Sequence, residues 1–375
     1  MRAAFVYTPR LASAGFPDHV LLPSRLQYTY ELLEAYGAFS RCRLLVPRPA
    51  RLQELLAFHT PEYVAAVKSL SRGRDGVDHA RFNLSPEGDN PHYPGMYETS
   101  LLPVGGSLVA ARHLARGTCE VVFNPAGGHH HAAPGCASGF CIFNDAVIAI
   151  NYFLSQGMRV AYVDIDAHHG DGVQEAFYHT DRVLTISCHE WGKFLFPGTG
   201  GVEEIGSGAG RGYAVNLPLY PGSDDQVYTE AFRQVVPPLV KAFAPDVLVT
   251  QLGCDSHYQD PLTHLSLTIQ GYCRLIEELR GLAPRWLALG GGGYETGVVA
   301  RAWAAAFGVM AGLDLDSQIP ASFREKYGLS YLWDPEPPTV PADLRGEAQR
   351  FAHRRVEELQ SLVFPYHQLR AGGLS

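Results

Sequence analysis

The chain has 375 residues, 46% of them hydrophobic, which excludes a disordered polypeptide and allows one large α/β domain or two smaller ones. Thirty-eight acidic against 30 basic residues give a net charge of −8, which excludes a general nucleic-acid binder, because that needs a basic face. The seven cysteines are scattered, odd in number and without CxxC spacing, as expected of reduced thiols in a cytoplasmic protein rather than of a disulfide framework. Residues 1–15 hold no apolar leader core, and no later run is long enough to span a bilayer. Neither a membrane nor a nucleic acid is an expected partner.

In chain order, 3–7 is a short apolar run that predicts a first strand, and 25–36 has the apolar spacing of a helix. Residues 43–46 predict another strand, and 51–58 are amphipathic. Thr60-Pro61-Glu62 reads as a helix start, with a capping Thr before Pro at the first position, and that helix should run to about Leu70. Residues 71–97 are rich in Gly, Pro, Asn and Asp, a composition that predicts a long functional surface loop. Helical spacing resumes over 101–114. Strands are then predicted at 120–123, 159–165, 182–188, 213–217, 246–252 and 286–289, and helices at 144–155, 224–243, 267–282 and 294–313. This alternation implies a three-layer α/β/α fold, a largely parallel sheet with helices on both faces. A proline-rich joint at 335–341 leads into a charged helix over 343–362, expected to pack on the outside.

In such sheets ligands bind beyond the carboxyl ends of the strands. Four unusual polar clusters each follow directly on a predicted strand: Gly127-Gly128-His129-His130-His131, Asp164-Ile165-Asp166-Ala167-His168, Gly253-Cys254-Asp255 and Gly290-Gly291-Gly292-Gly293-Tyr294. Taken singly, each has a plainer explanation: a polar surface, a turn, a helix cap. Placed on one edge, they make a site. Asp164, Asp166 and His168 recur every second residue, so extended backbone sends all three to one face. Two carboxylates and an imidazole there call for a cation.

The parts fit one kind of chemistry. Asp166, His168 and Asp255 supply three ligands and leave a position open, the catalytic arrangement for zinc. A histidine of the pair His130-His131 can take a proton from water and return it to a leaving group. Asp164 and Asp171 are available to orient the two rings. Tyr294 can donate to an oxyanion opposite the metal, and the glycine run before it reads as a flexible platform that lets this tyrosine move. Together these groups describe an amide hydrolase.

With these motifs in view, the sequence resembles the histone deacetylase superfamily, within the arginase/deacetylase fold, and looks most like its bacterial acetoin-utilisation-type members. The resemblance runs from Leu22-Pro23-Ser24-Arg25 to about Gly312. It rests on AGGHHHA at 126–132, SGFCIFND at 138–145, YVDIDAHHGDG at 162–172, FPGTG at 196–200, QLGCD at 251–255 and LGGGGY at 289–294. The run GDNPHYPGMYE at 88–98 is what points to the bacterial subgroup. It implies a single deacetylase domain over 1–375, with a catalytic core of about 1–315 and a C-terminal helical extension of about 340–375. It further implies Zn2+ on Asp166, His168 and Asp255, with Fe2+ or Co2+ able to substitute, and His130 and His131 paired with Asp164 and Asp171 respectively. His131 is then expected as general base and acid, with His130 stabilising charge. By the same resemblance Phe140 and Phe196, with Gly139 beside them, wall a narrow acyl-lysine tunnel, Asp89 grips substrate backbone at the rim, and Arg25 lines an inner cavity through which acetate leaves. Leu262 takes the gatekeeper place at the mouth. A structural K+ is implied on Asp164, Asp166, His168, Ser187 and Cys188, partly through backbone oxygens. Two departures bear on substrate preference: His129 before the tandem pair, and a polar, bulky Ser256-His257-Tyr258-Gln259, expected at the rim.

The expected activity is removal of acetyl groups from acetyl-lysine in a protein or peptide. The alternatives are an acetylpolyamine deacetylase, a dimanganese ureohydrolase of the same fold, and a non-catalytic binder of acylated lysine. A ureohydrolase needs further aspartates for a second metal, where this chain has His168-His169-Gly170; a pseudoenzyme would have lost a ligand, a tandem histidine or the tyrosine.

Overall fold

The strands of the central sheet read as near-continuous apolar runs because all but one are buried on both faces. In this computed structural model, which describes residues 2–12, 19–74 and 76–370, they are β1 (Ala3–Val6), β2 (Arg43–Leu45), β3 (Val121–Asn124), β4 (Val160–Asp164), β5 (Val183–Glu190), β6 (Ala214–Leu219), β7 (Val247–Gln251) and β8 (Trp286–Leu289). Among the described residues they form one sheet in the order β2-β1-β3-β8-β7-β4-β5-β6, and every pairing is parallel. Successive strand residues face opposite layers: Phe5, Phe123, Val163 and Ile186 pack into one core, Ala4, Val122, Tyr162 and Val249 into the other. Helices Ser24–Ala35, Asp225–Phe243, Ile269–Leu279 and Thr296–Ala311 cover the first face; Met96–Ala115, Asp145–Ser155 and Asp171–Phe177 cover the second. This is the predicted three-layer arrangement, and the sheet is parallel throughout.

Strand register is what brings the four motifs together. Asn124 of β3 lies opposite Leu289 of β8, Leu289 opposite Gln251 of β7, Gln251 opposite Asp164 of β4, and Asp164 opposite Ser187 of β5. The carboxyl ends of β3, β8, β7 and β4 therefore stop on one line, which β5 crosses at Ser187 before running on to Glu190, and the polar clusters begin at or just past it.

Several boundaries follow the predicted chemistry. Thr60 caps its helix by accepting the Tyr63 N–H at 3.3 Å, and Asn144 caps Asp145–Ser155 by accepting the Val147 N–H at 3.0 Å. Others differ. The helix expected from 101 begins at Met96, because Met96 and Tyr97 are buried and Ser71 Oγ receives the Tyr97 N–H at 3.0 Å. The helix expected from 294 begins at Thr296, since the Glu295 side chain caps it by accepting the Val298 N–H, and Tyr294 stays off the helix. Short helices at Asp171–Phe177 and Ala321–Tyr327 carry too few turns to show a period. Within the long loop, Leu84 and Asn90 are buried, and Ala137 N–H reaches Phe82 O at 3.0 Å, so the loop is folded down onto the body. The terminal helix, Ala342–Leu362, buries Ala348, Ala352, Val356 and Leu359 against the first core and keeps its charges outside, as expected of an outer helix.

Candidate active site

The ends of β4 and β7 set the metal donors. Asp166 and His168 follow the end of β4, where the chain leaves the expected extended course and bends over 166–168, and Asp255 follows β7 by four residues. All three are buried, and one donor atom from each lies within 4.8 Å of the others. His168 Nδ1 stands 3.0 Å from Asp166 Oδ1 and 3.0 Å from Asp255 Oδ2. Backbone and side-chain donors hold both carboxylates in place: the Ala167 N–H reaches Asp255 Oδ1 at 2.8 Å, while Gln251 Nε2 and the Gly292 N–H reach Asp166 Oδ2 at 2.6 and 2.7 Å. The donor set fits a divalent cation. Burial and the neighbouring Asp166 push the Asp255 carboxyl up to about 7, so two ionised carboxylates in this dry site call for a positive charge between them. The cradle is also closed to a larger backbone, since a Cβ at Gly292 would fall 2.0 Å from Asp255 Oδ2.

Beside the donors lie the two histidines, their ring centroids 4.0 Å apart. His130 Nδ1–H donates to Asp164 Oδ2 at 2.8 Å and His131 Nδ1–H to Asp171 Oδ1 at 2.7 Å, so the Nε2 atoms are left to exchange protons. Burial works against charge on His130, but the Asp164 and Asp166 carboxylates outweigh it and raise its pKa to about 9. Burial and the adjacent His130 hold His131 down to about 4 despite Asp171. Asp164 is fully buried and also accepts the Tyr162 hydroxyl at 2.6 Å, whereas the Asp171 side chain is 28% exposed.

A cavity of about 260 Å³ opens over these groups. Its wall includes Phe140, Phe196, Leu262, Asp89, Arg25 and Tyr294. Phe196 packs edge-on to His131 with centroids 5.1 Å apart, and Phe140 edge-on to Tyr294 at 6.0 Å. Gly139 is required between them: its φ is +48°, and a Cβ there would lie 2.3 Å from the His131 ring and 2.9 Å from Phe196. Asp89 is exposed at the rim. Arg25 is buried, its guanidinium 5.0 Å over the Trp303 ring, and it lines a second cavity of about 90 Å³ as well. His129 lines both cavities, its backbone N–H held by Asp145 Oδ1 at 2.9 Å.

The residues expected around a monovalent cation also adjoin. Ser187 is the register partner of Asp164 and receives the Gly170 N–H at 3.4 Å; the Cys188 carbonyl accepts the Tyr228 hydroxyl at 3.0 Å.

Two expectations are corrected. The glycine run is pinned rather than flexible, because Arg25 Nη1–H donates to the carbonyls of Gly291 and Gly293 at 2.8 and 3.0 Å and the Gly292 N–H is held by Asp166. Ser256 and His257 are buried behind the site instead of lying at the rim, because His257 turns inward to a carboxylate 77 residues away. The structure also adds residues that the sequence reading missed. Gln251 was legible in principle, since 251, 253 and 255 repeat the two-residue spacing of 164, 166 and 168. Asn90, whose Oδ1 accepts the Phe140 N–H at 3.0 Å and so holds that ring at a φ of +66°, left no signal in the sequence.

Residues 19–310 match the histone deacetylase domain family. The chain belongs to the histone deacetylase family. It is 41% identical over 334 residues to the acetoin utilization protein AcuC of Bacillus subtilis, covering 87% of this chain and 86% of that protein. It is 36% identical over 349 residues to human histone deacetylase 1, covering 92% of this chain and 72% of that protein. Among solved structures, a histone deacetylase homologue from Aquifex aeolicus superposes with a TM-score of 0.85 at 30% identity, over 94% of this chain and all of that one. A homologue complexed with SAHA does so at 0.86 and 30% identity, over 95% of this chain and all of that one. The fold is thus the arginase/deacetylase fold, and the protein is a hydrolase of the deacetylase type. Membership implies an acetylated substrate and a bound metal, usually zinc, for which the buried Asp166-His168-Asp255 set is present.

Proposed function

We propose that this histone deacetylase family member removes acetyl groups from acetyl-lysine side chains of a protein or peptide. Asp166, His168 and Asp255 would hold Zn2+, with Fe2+ a possible native alternative for two oxygens and one nitrogen. From such an ion the site gains polarisation of the acetyl carbonyl and a lower pKa for an attacking water. His131, neutral beside Asp171, takes the proton of that water as its oxygen adds to the carbonyl carbon. His130, charged against Asp164, stabilises the negative charge that develops. The Tyr294 hydroxyl donates to the carbonyl oxygen. When the C–N bond breaks, the proton held on His131 passes to the departing lysine amine, and acetate is left beside Arg25. Phe140 and Phe196 enclose the lysine stem, and Asp89 accepts from substrate backbone amides. A structural K+ on Asp164, Asp166, His168, Ser187 and Cys188 is supported by the register that sets Ser187 of β5 beside Asp164 at the end of β4.

We read residues 1–375 as one deacetylase domain, a core of about 1–315 with a helical extension of about 340–375; the packing of Ala342–Leu362 on the first core supports this. We place the protein in the cytoplasm; among the described residues no helix is long and apolar enough to cross a membrane.

The observation that carries the choice of substrate is the mouth of the cavity. Leu262 lines the cavity, and in this reading it holds the place at the mouth where a polyamine-binding site needs a carboxylate for the distal ammonium; an apolar residue gives a cation no compensation for lost hydration. Of the other acids, Asp260 accepts the N–H groups of Leu262 and Tyr294 at 3.0 and 2.9 Å and Glu98 accepts the Ser71 hydroxyl at 2.9 Å, while Asp89 at the rim is assigned here to substrate backbone amides. The test is kcat/KM for an acetyl-lysine peptide against acetylspermidine and acetylputrescine. The peptide should be preferred, and Leu262→Glu should move the ratio towards the polyamines. A polyamine preference of about tenfold, or about 1.4 kcal/mol of transition-state discrimination, would overturn the assignment.

A further inference from the structure

The loop that carries Asp255 has a second face, turned away from the cavity. There His257, 3% exposed, donates from Nε2 to Asp334 Oδ2 at 2.9 Å, while its Nδ1 accepts the Gln259 N–H at 3.2 Å. Both ring nitrogens are committed, which fixes the tautomer with the proton on Nε2. Asp334 is itself 5% exposed and is bound from three directions. Besides His257, its Oδ2 receives the Ile269 N–H at 2.8 Å, at the first residue of helix Ile269–Leu279. Its Oδ1 receives Arg301 Nη1–H at 2.9 Å, from a guanidinium 9% exposed on helix Thr296–Ala311, the helix that follows Tyr294. Gln270 clasps the Asp334 backbone from both sides, donating to its carbonyl at 2.7 Å and accepting its N–H at 3.2 Å.

One carboxylate therefore joins the two elements that flank the acetyl group in the proposed reaction, the Asp255 loop through His257 and the Tyr294 helix through Arg301. On the cavity side the same loop and the same tyrosine are joined again, by Asp260 and the Tyr294 N–H. Asp334 itself lies beyond residue 310, where the family match ends. Burying a carboxylate, a guanidinium and an imidazole together carries a desolvation cost that an apolar trio would not, and the return on it is a defined geometry.

We propose that Asp334 is a positioning residue for deacetylation, setting the distance between Asp255 and the Tyr294 hydroxyl and hence the width of the slot that receives the carbonyl. This rests on the reading of the site as a deacetylase. The test uses the full chain and Asp334→Asn, which keeps the shape and an acceptor but lacks the charge for Arg301. With the Zn2+-loaded enzyme and an acetyl-lysine peptide, kcat should fall about 10- to 100-fold, the range for groups that orient metal ligands, with KM changed less than about threefold. In the Co2+-loaded protein the ligand-field absorption of the variant should differ from that of the parent. In a Tyr294→Phe background, Asp334→Asn should cost less than about threefold further, because the slot width matters only while the hydroxyl is there. A fully multiplicative loss, an unchanged Co2+ spectrum, or unchanged kcat in a variant with normal thermal unfolding would each overturn the proposal. If Asp334→Asn does not fold, His257→Gln and Arg301→Lys enter the same cycle with the same expectations. Failure of the parent enzyme to turn over any acetyl-lysine peptide would instead overturn the underlying reading of the site.

Discussion

Asp255 and His257 stand two residues apart on one loop and face opposite worlds. Asp255 turns towards Asp166 and His168, where two buried carboxylates are held close together. His257 turns away, into a cluster in which both of its nitrogens and both oxygens of Asp334 have partners. The front of the loop gathers like charges, whereas the back sets a carboxylate against a guanidinium and an imidazole. That difference teaches where chemistry and where rigidity reside: crowded like charges favour binding a cation, whereas a paired network fixes a shape.

The largest effect that sharpens this contrast is on the front face. Asp255→Ala should strip the metal and reduce turnover to background while leaving the chain folded, because the residue lies beyond β7 and its side chain bonds within the site, to the Ala167 N–H and His168. Metal content and activity, measured together with circular dichroism, check it. Turnover that survives complete chelation would break the picture of a cation completing the front face.

Next in size are the groups that act on the substrate. His131→Ala should lower kcat by about 10²–10⁴, the usual worth of a general acid–base group, and Tyr294→Phe by about 10²–10³, as for a lost oxyanion donor. In both, KM should change little; thermal stability should hold in Tyr294→Phe and fall in His131→Ala, which leaves Asp171 without its imidazole partner. Tyr294→Phe with full kcat/KM would remove the tyrosine from the carbonyl.

The contrast also marks how far the sequence could be read. Front-face residues are legible because they follow directly on strands: parallel alternation brings 130, 168, 255 and 294 to one edge, although past Asp164 the chain bends over 166–168 and does not keep the extended course expected of it. Parallel register then does the rest, with Asn124, Leu289, Gln251, Asp164 and Ser187 on one line. The back face is illegible for the opposite reason. His257 and Asp334 are 77 residues apart, on a loop and in a proline-flanked turn, and no local period links them. Hence His257 reads from sequence as a rim residue. The pinning of the glycine run fails in the same way, since it depends on Arg25, 266 residues from Gly291. Asn90 likewise reads as one more polar residue of a surface loop until the Phe140 N–H is seen to end on it.

The smallest effect separates the two faces by pH. Burial tends to raise the Asp334 carboxyl, but the His257 N–H, the Ile269 N–H and the charge of Arg301 outweigh it and hold its pKa at about 2, against an ordinary 3.8. A carboxylate with a depressed folded pKa adds stability that is present above its unfolded value and is lost as pH falls through the folded one. The contribution of Asp334 should therefore be complete at neutral pH, begin to fall near pH 4 and be gone by about pH 2. Glu54, held at about 2 by Arg48, the Arg51 N–H and Arg112 against the effect of burial, should behave alike in a region remote from the cavity. The measurement is urea unfolding of the metal-free protein and of Asp334→Asn across this range. Asp334→Asn should be less stable at pH 7, and the gap between the two proteins should close as pH falls from 4 to 2. A gap that stays constant with pH would mean that shape, and not the carboxylate charge, holds the back of the loop.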